Sequence, residues 1–149
     1  MTTLLLAVSL SAWASGDATV RHYTDGNART SANGKAQIWR IAGKPEGTQN
    51  AFFGVLELAA GAKVPVHRDA TEEYIYILSG AGQMTIDGVT RTVVPGTGIF
   101  MPANAEVSFV ASSDGPVRAV QFFASQGPER KYDAWLDAKD DDRALRENR

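Results

Sequence analysis

Short runs of alternating apolar and polar residues recur along most of the chain, each closed by a turn rich in glycine, proline or aspartate. Lys35–Ile41 is the first, with Gln37, Trp39 and Ile41 on one face, and Phe52–Leu58 is the second. Further runs follow at Lys63–Arg68, Glu73–Leu78, Gln83–Asp87, Val89–Val94, Ile99–Met101, Glu106–Ala111 and Val117–Ala124. Asp87-Gly88, between two such runs, predicts a tight hairpin, because a type I′ turn needs positive φ at both central positions. Many short strands at near-regular spacing predict an all-β barrel or sandwich.

The two ends break the pattern. Leu4–Leu10 is a short apolar run, and Ala12-Trp13-Ala14 follows it, which reads as a secretory signal peptide over residues 1–14. The run is too short for a membrane span. The usual basic residues ahead of it are missing, since the first is Arg21, so an over-late start codon or an ordinary apolar strand are the competing readings. Export would make the protein periplasmic or secreted. Residues 15–35 read as an extended arm, residues 36–126 as the barrel, and residues 127–149 as a charged C-terminal helix and tail. In that helix Tyr132, Trp135 and Leu136 stand at i, i+3 and i+4, a spacing suited to docking on the barrel, with a partner-binding helix as the competing reading.

With 149 residues, 44% of them hydrophobic, the chain holds one domain with a proper core and no internal repeat. A net charge of −2 and the lack of a basic patch argue against a nucleic-acid partner. The chain has no cysteine, which excludes disulfides, thiolate metal sites and cysteine nucleophiles. No Ser-His-Asp arrangement or phosphate loop is visible.

Chemistry concentrates between Gly61 and Gly80. Strand alternation points His67 and Asp69 the same way, while Glu73, Ile75 and Ile77 share one face of the next run, opposite Tyr74, Tyr76 and Leu78. Pairing of these two runs across Ala70-Thr71 is expected to set Glu73 opposite His67 and Asp69. One imidazole and two carboxylates would then surround a common point.

These residues carry a family pattern. Gly61-x5-His67-x-Asp69-x3-Glu73-x6-Gly80 resembles the first motif of the cupins, which has a second His where Asp69 stands here. The stretch from Gly88 to Phe109, with Pro95-Gly96 and Pro102-Ala103-Asn104, resembles the second motif. The resemblance spans Phe52 to Ala124 and implies a double-stranded β-helix, the cupin jelly-roll barrel, with a site in its mouth. It also implies four metal ligands, of which His67 and Glu73 are retained, Asp69 is a replacement, and the last is lost at Val107.

Two readings of the cluster stay open. In the first, His67, Asp69 and Glu73 hold a divalent Fe, Mn, Ni or Zn, and Glu73 is a ligand or general base in an oxygenase, isomerase or lyase. In the second, the cupin holds no metal, the three residues form a hydrogen-bonded cluster, and the barrel binds a small ligand or acts as a sensor. Gln121 is a candidate polar anchor in a small-molecule pocket, and Met101, Val107 and Phe109 are its candidate apolar walls, although a plain core would look the same. His22 in the arm is the chain's other histidine. A homodimer through exposed sheet edges is expected, and a purely structural subunit is a third reading.

Overall fold

The computed structural model describes residue 18, residues 20–25 and residues 28–137. The segment read as a signal peptide and the charged tail after Asp137 lie outside the described residues. Among the described residues eleven strands follow one another: β1 (Ala28–Thr30), β2 (Ala36–Ala42), β3 (Phe52–Leu58), β4 (Lys63–His67), β5 (Glu73–Ser79), β6 (Gly82–Ile86), β7 (Val89–Val93), β8 (Gly98–Met101), β9 (Val107–Ala111), β10 (Val117–Phe123) and β11 (Leu136–Asp137). Two antiparallel sheets form a jelly-roll barrel, one ordered β11-β1-β2-β3-β10-β5-β8 and the other β4-β9-β6-β7. Among the described residues no helix is long and apolar enough to cross a membrane.

Period-two patterning explains why each strand presents one face inward. In β10, Val117, Ala119, Gln121 and Phe123 are buried, while the residues between them are only partly so. In β5, Glu73 and Ile77 are buried and Tyr74, Tyr76 and Leu78 are exposed, as the alternation predicts. On that outer surface Tyr74 packs against Phe100 and Phe122, its partners on either side. In β2 the buried residue is Ile38, so the face of Gln37, Trp39 and Ile41 is the outer one. The β6–β7 hairpin turns through Asp87 (φ 46°) and Gly88 (φ 79°), the positive values that a type I′ turn requires.

β4 and β5 do not pair with each other. β4 pairs with β9 in one sheet and β5 with β10 and β8 in the other, so the expected hairpin across Ala70-Thr71 is instead a crossing from sheet to sheet. The reason lies in the loop, which is pinned elsewhere. The Asn104 amide donates to the Asp69 carbonyl at 2.7 Å, and Arg68 donates to the Asn104 carbonyl and to Glu106.

Both ends of the described chain close on the barrel. β1 pairs with β2 and with β11, which ties part of the expected arm to the C-terminal segment. The C-terminal helix is a 3-10 helix, Pro128–Ala134, and the chain is already extended at Leu136. Pro128 enters its first turn after Gly127, at φ 139°. Tyr132 is buried against Phe52, Phe123 and Trp135, in a small core cluster with Ile38.

Phe123 is fully buried and joins this cluster to the main sheet. Phe123→Ala is expected to cost about 3–5 kcal/mol of stability, as measured by urea unfolding, since the aromatic ring leaves a cavity on two sides. A loss under about 1 kcal/mol would mean that the C-terminal segment does not depend on this packing.

Candidate metal centre

His67 ends β4, Asp69 follows in the crossing loop, and Glu73 starts β5, so the cluster bridges the two sheets at one end of the barrel. Each residue offers a ligand atom, and the three atoms lie within 4.8 Å of one another. The strands do not bring these residues together by pairing with each other. The sheet-to-sheet crossing does so, folding five residues of loop between His67 and Glu73.

The His67 ring is oriented by its own strand. Its Nδ1 lies 2.9 Å from the Pro65 carbonyl and donates to it, which turns Nε2 toward Asp69. His67 Nε2 and Asp69 Oδ2 are 3.6 Å apart, long for a hydrogen bond. Two ligand atoms bonded to one ion at about 2.1 Å each stand roughly 3.0–3.4 Å apart. The observed gap is thus closer to that of two ligands sharing an ion than to that of a hydrogen-bonded pair. A single imidazole with two carboxylates suits Mn, Fe or Zn, with open positions left for water or substrate.

Among the described residues Glu73 is the most deeply buried charged residue, 4% exposed. Its Oε1 accepts a 2.6 Å hydrogen bond from Gln121 Nε2, and Gln121 Oε1 accepts one of 2.6 Å from the Tyr132 hydroxyl. Gln121 is therefore an anchor inside the barrel, and its amide is fixed in one orientation. Lys131 donates to Asp69 Oδ2 at 2.9 Å. Burial pushes the Glu73 carboxyl above its ordinary value, and pushes the Tyr132 hydroxyl well above its own. The Asp69 carboxylate that faces Nε2 raises the His67 value. Asp69 is itself opposed by burial, yet the facing His67 ring, the hydrogen bond from Lys131 and the Lys131 charge hold its carboxyl below the ordinary value.

A cavity of about 480 Å³ opens on the cluster, within the range that takes small-molecule ligands. Met101, Val107, Phe109 and Gln121 all line it. Val107 stands directly opposite His67 in the β4–β9 register, so an apolar side chain occupies the place beside the imidazole. His22 lies elsewhere, its Nδ1 2.7 Å from Thr24 Oγ1 and its ring against Tyr23, and it does not join the cluster.

Lys131, Tyr132 and Trp135 also line the cavity, and sequence reasoning missed them as site residues. Lys131 sits in a densely charged run where every cation looks solvated. The available signal was its neighbour Tyr132, an aromatic spaced to dock with Trp135, which carries Lys131 to the barrel mouth.

Two outcomes follow for the metal-free protein. A raised folded-state value stabilises His67 fully below its ordinary 6.5, with that contribution lost as pH rises through the folded value. The lowered Asp69 value stabilises above its ordinary 3.8 and is lost as pH falls through the folded value. The stability gap between the wild type and His67→Gln, read from urea midpoints, should be widest between 3.8 and 6.5 and shrink on either side. A gap independent of pH would mean that the two side chains do not interact. Separately, Tyr132→Phe leaves the buried Gln121 carbonyl oxygen without its donor and should lower stability by about 1–3 kcal/mol in thermal unfolding. An unchanged melting temperature would show that the hydroxyl holds nothing.

Comparison with known proteins agrees with this architecture. A family model described as a cupin domain matches residues 54–123. The dimethylsulfoniopropionate lyase DddW of Ruegeria pomeroyi is 33% identical over 89 residues, 58% of either chain, so the match spans less than two thirds of that relative. Among solved structures, the polyketide cyclase RemF of Streptomyces resistomycificus superposes with a TM-score of 0.67 at 22% identity, covering 75% of this chain and 82% of its own. An RmlC-like cupin of Shewanella frigidimarina gives 0.64 at 15% identity, covering 78% and 98%. At such identities the two structures speak to the fold alone. The fold, the motif spacing and the family match agree: residues 54–123 form a cupin domain.

Proposed function

We propose that the protein is a small-molecule enzyme of the lyase type that works with a divalent metal held by His67, Asp69 and Glu73. The observation that carries this reading is the convergence of the three ligand atoms within 4.8 Å at the polar end of a cavity of about 480 Å³. The donor set fits: the imidazole presents Nε2 because Pro65 takes its Nδ1 proton, and both carboxylates are within reach. The 33% identity to a lyase supports the reaction class.

A bound divalent ion would supply Lewis-acid polarisation of a substrate oxygen. The chain supplies the rest. Gln121 fixes one oxygen of Glu73 and so sets the orientation in which its carboxylate would serve as a ligand or, alternatively, as a general base. Apolar walls, including Met101, Val107 and Phe109, exclude water and hold the substrate body.

A second reading has its own observation. With His67 protonated, the cations His67 and Lys131 balance the anions Asp69 and Glu73, and the cluster is neutral without an ion. In that case the barrel is a metal-free binding protein.

Metal content separates the two. Untagged protein analysed by plasma mass spectrometry should carry close to one Fe, Mn, Ni or Zn per chain, falling at least tenfold in Glu73→Ala. Content far below one per chain in both proteins, even after reconstitution, would leave only the metal-free reading.

A further inference from the structure

One cation at the polar end of the cavity has no part in holding an ion. Lys131 Nζ lies 2.9 Å from Asp69 Oδ2, 4.9 Å from the centre of the Phe123 ring and 5.6 Å from that of Tyr132. The residue lines the cavity, and its side chain is 34% exposed. Its backbone is held firmly, because the next residue, Tyr132, is buried and bonded to Gln121. The ammonium is therefore placed at this spot by packing of the 3-10 helix.

Charge bookkeeping then gives the ligand's sign. Asp69 and Glu73 contribute two negative charges, Lys131 one positive charge and a divalent ion two, while a ligating His67 is neutral. The sum is −2 + 1 + 2 = +1, a surplus that rests on the metal reading above. Of the rest of the lining, Leu56, Ile77, Met84 and Phe109 are apolar, while Lys35, Lys63 and Arg68 are exposed to solvent and Arg68 is paired with Glu106, so none of them brings a compensating negative charge. An unbalanced charge in such surroundings is costly, and one anionic group on a ligand removes the cost. A carboxylate matches.

We propose that Lys131 is the specificity-determining residue of this pocket, and that its ammonium recognises the carboxylate of a small monocarboxylic acid with an apolar body. Asp69 holds the ammonium in place before the ligand arrives, so that little side-chain freedom is lost on binding. The apolar wall on the far side takes the rest of the molecule.

The test is calorimetric titration with hexanoate and with its neutral analogue hexanamide, on Mn-loaded and on chelator-treated protein, with metal content measured on the same samples. The wild type should prefer hexanoate by roughly tenfold or more, as a charge-assisted contact predicts. Lys131→Met should lower that preference to below about threefold with metal content unchanged, and Lys131→Arg should keep most of it. Lys131→Gln serves as a second neutral variant if the Met protein does not fold. Equal affinity for acid and amide in the wild type, or a preference that survives in both neutral variants, overturns the proposal. Metal bound one to one without a Lys131-dependent preference removes this proposal and leaves the metal reading intact. A Lys131-dependent preference in a protein that binds no metal does the reverse.

Discussion

The arrangement at the barrel mouth depends on one constraint, the burial of the Glu73 carboxylate. A carboxylate 4% exposed among apolar side chains is tolerable only if its oxygens are satisfied. Gln121 satisfies one of them, and Gln121 is held in turn by the Tyr132 hydroxyl. The chain of contacts therefore runs from the site through β10 to the C-terminal 3-10 helix, and it fixes which way the amide and the carboxylate face. The same carboxylate offers a ligand atom within 4.8 Å of those of His67 and Asp69. A buried anion next to a second anion is a place where a cation is favourable.

The same reasoning explains why the segment around residue 130 matters. Tyr132 and Trp135 pack on Phe52 and Phe123, and this packing delivers Lys131 to Asp69. Structure and electrostatics are coupled here: the aromatic contacts that close the end of the barrel also set a positive charge beside the ligand cluster. β11 and β1 pair next to it, so segments from both ends of the described chain line one mouth. β4, β5 and the loop between them supply the ligands, and the terminal segments supply the rim.

The strands were legible because period-two patterning and turn chemistry are local signals. Phe52–Leu58 matches β3 residue for residue, and Asp87-Gly88 marks the hairpin. The cluster itself was legible from spacing, since three ligand-type side chains within seven residues stay close wherever the chain turns. The partnering of the strands was not, because it depends on which sheet each strand joins. Val64 and His67 pair with Phe109 and Val107, far along the chain, and nothing in the residues 61–80 encodes that choice. The strand at Ala28–Thr30 was hidden in a polar stretch, where its pairing with β2 and β11 outweighs weak local preference. Lys131 was hidden for the opposite reason, being one charge among many, with its placement decided by aromatic neighbours.

The central claim is that His67, Asp69 and Glu73 form a metal centre whose neighbour Lys131 stays bonded to Asp69. The most direct measurement is anomalous diffraction, at the metal edge, from crystals grown with Mn or Zn. One strong peak is expected within bonding distance of His67 Nε2 and of an oxygen from each carboxylate, with the Lys131–Asp69 contact retained. No peak at the cluster, with His67 hydrogen-bonded to Asp69 in its place, would contradict it.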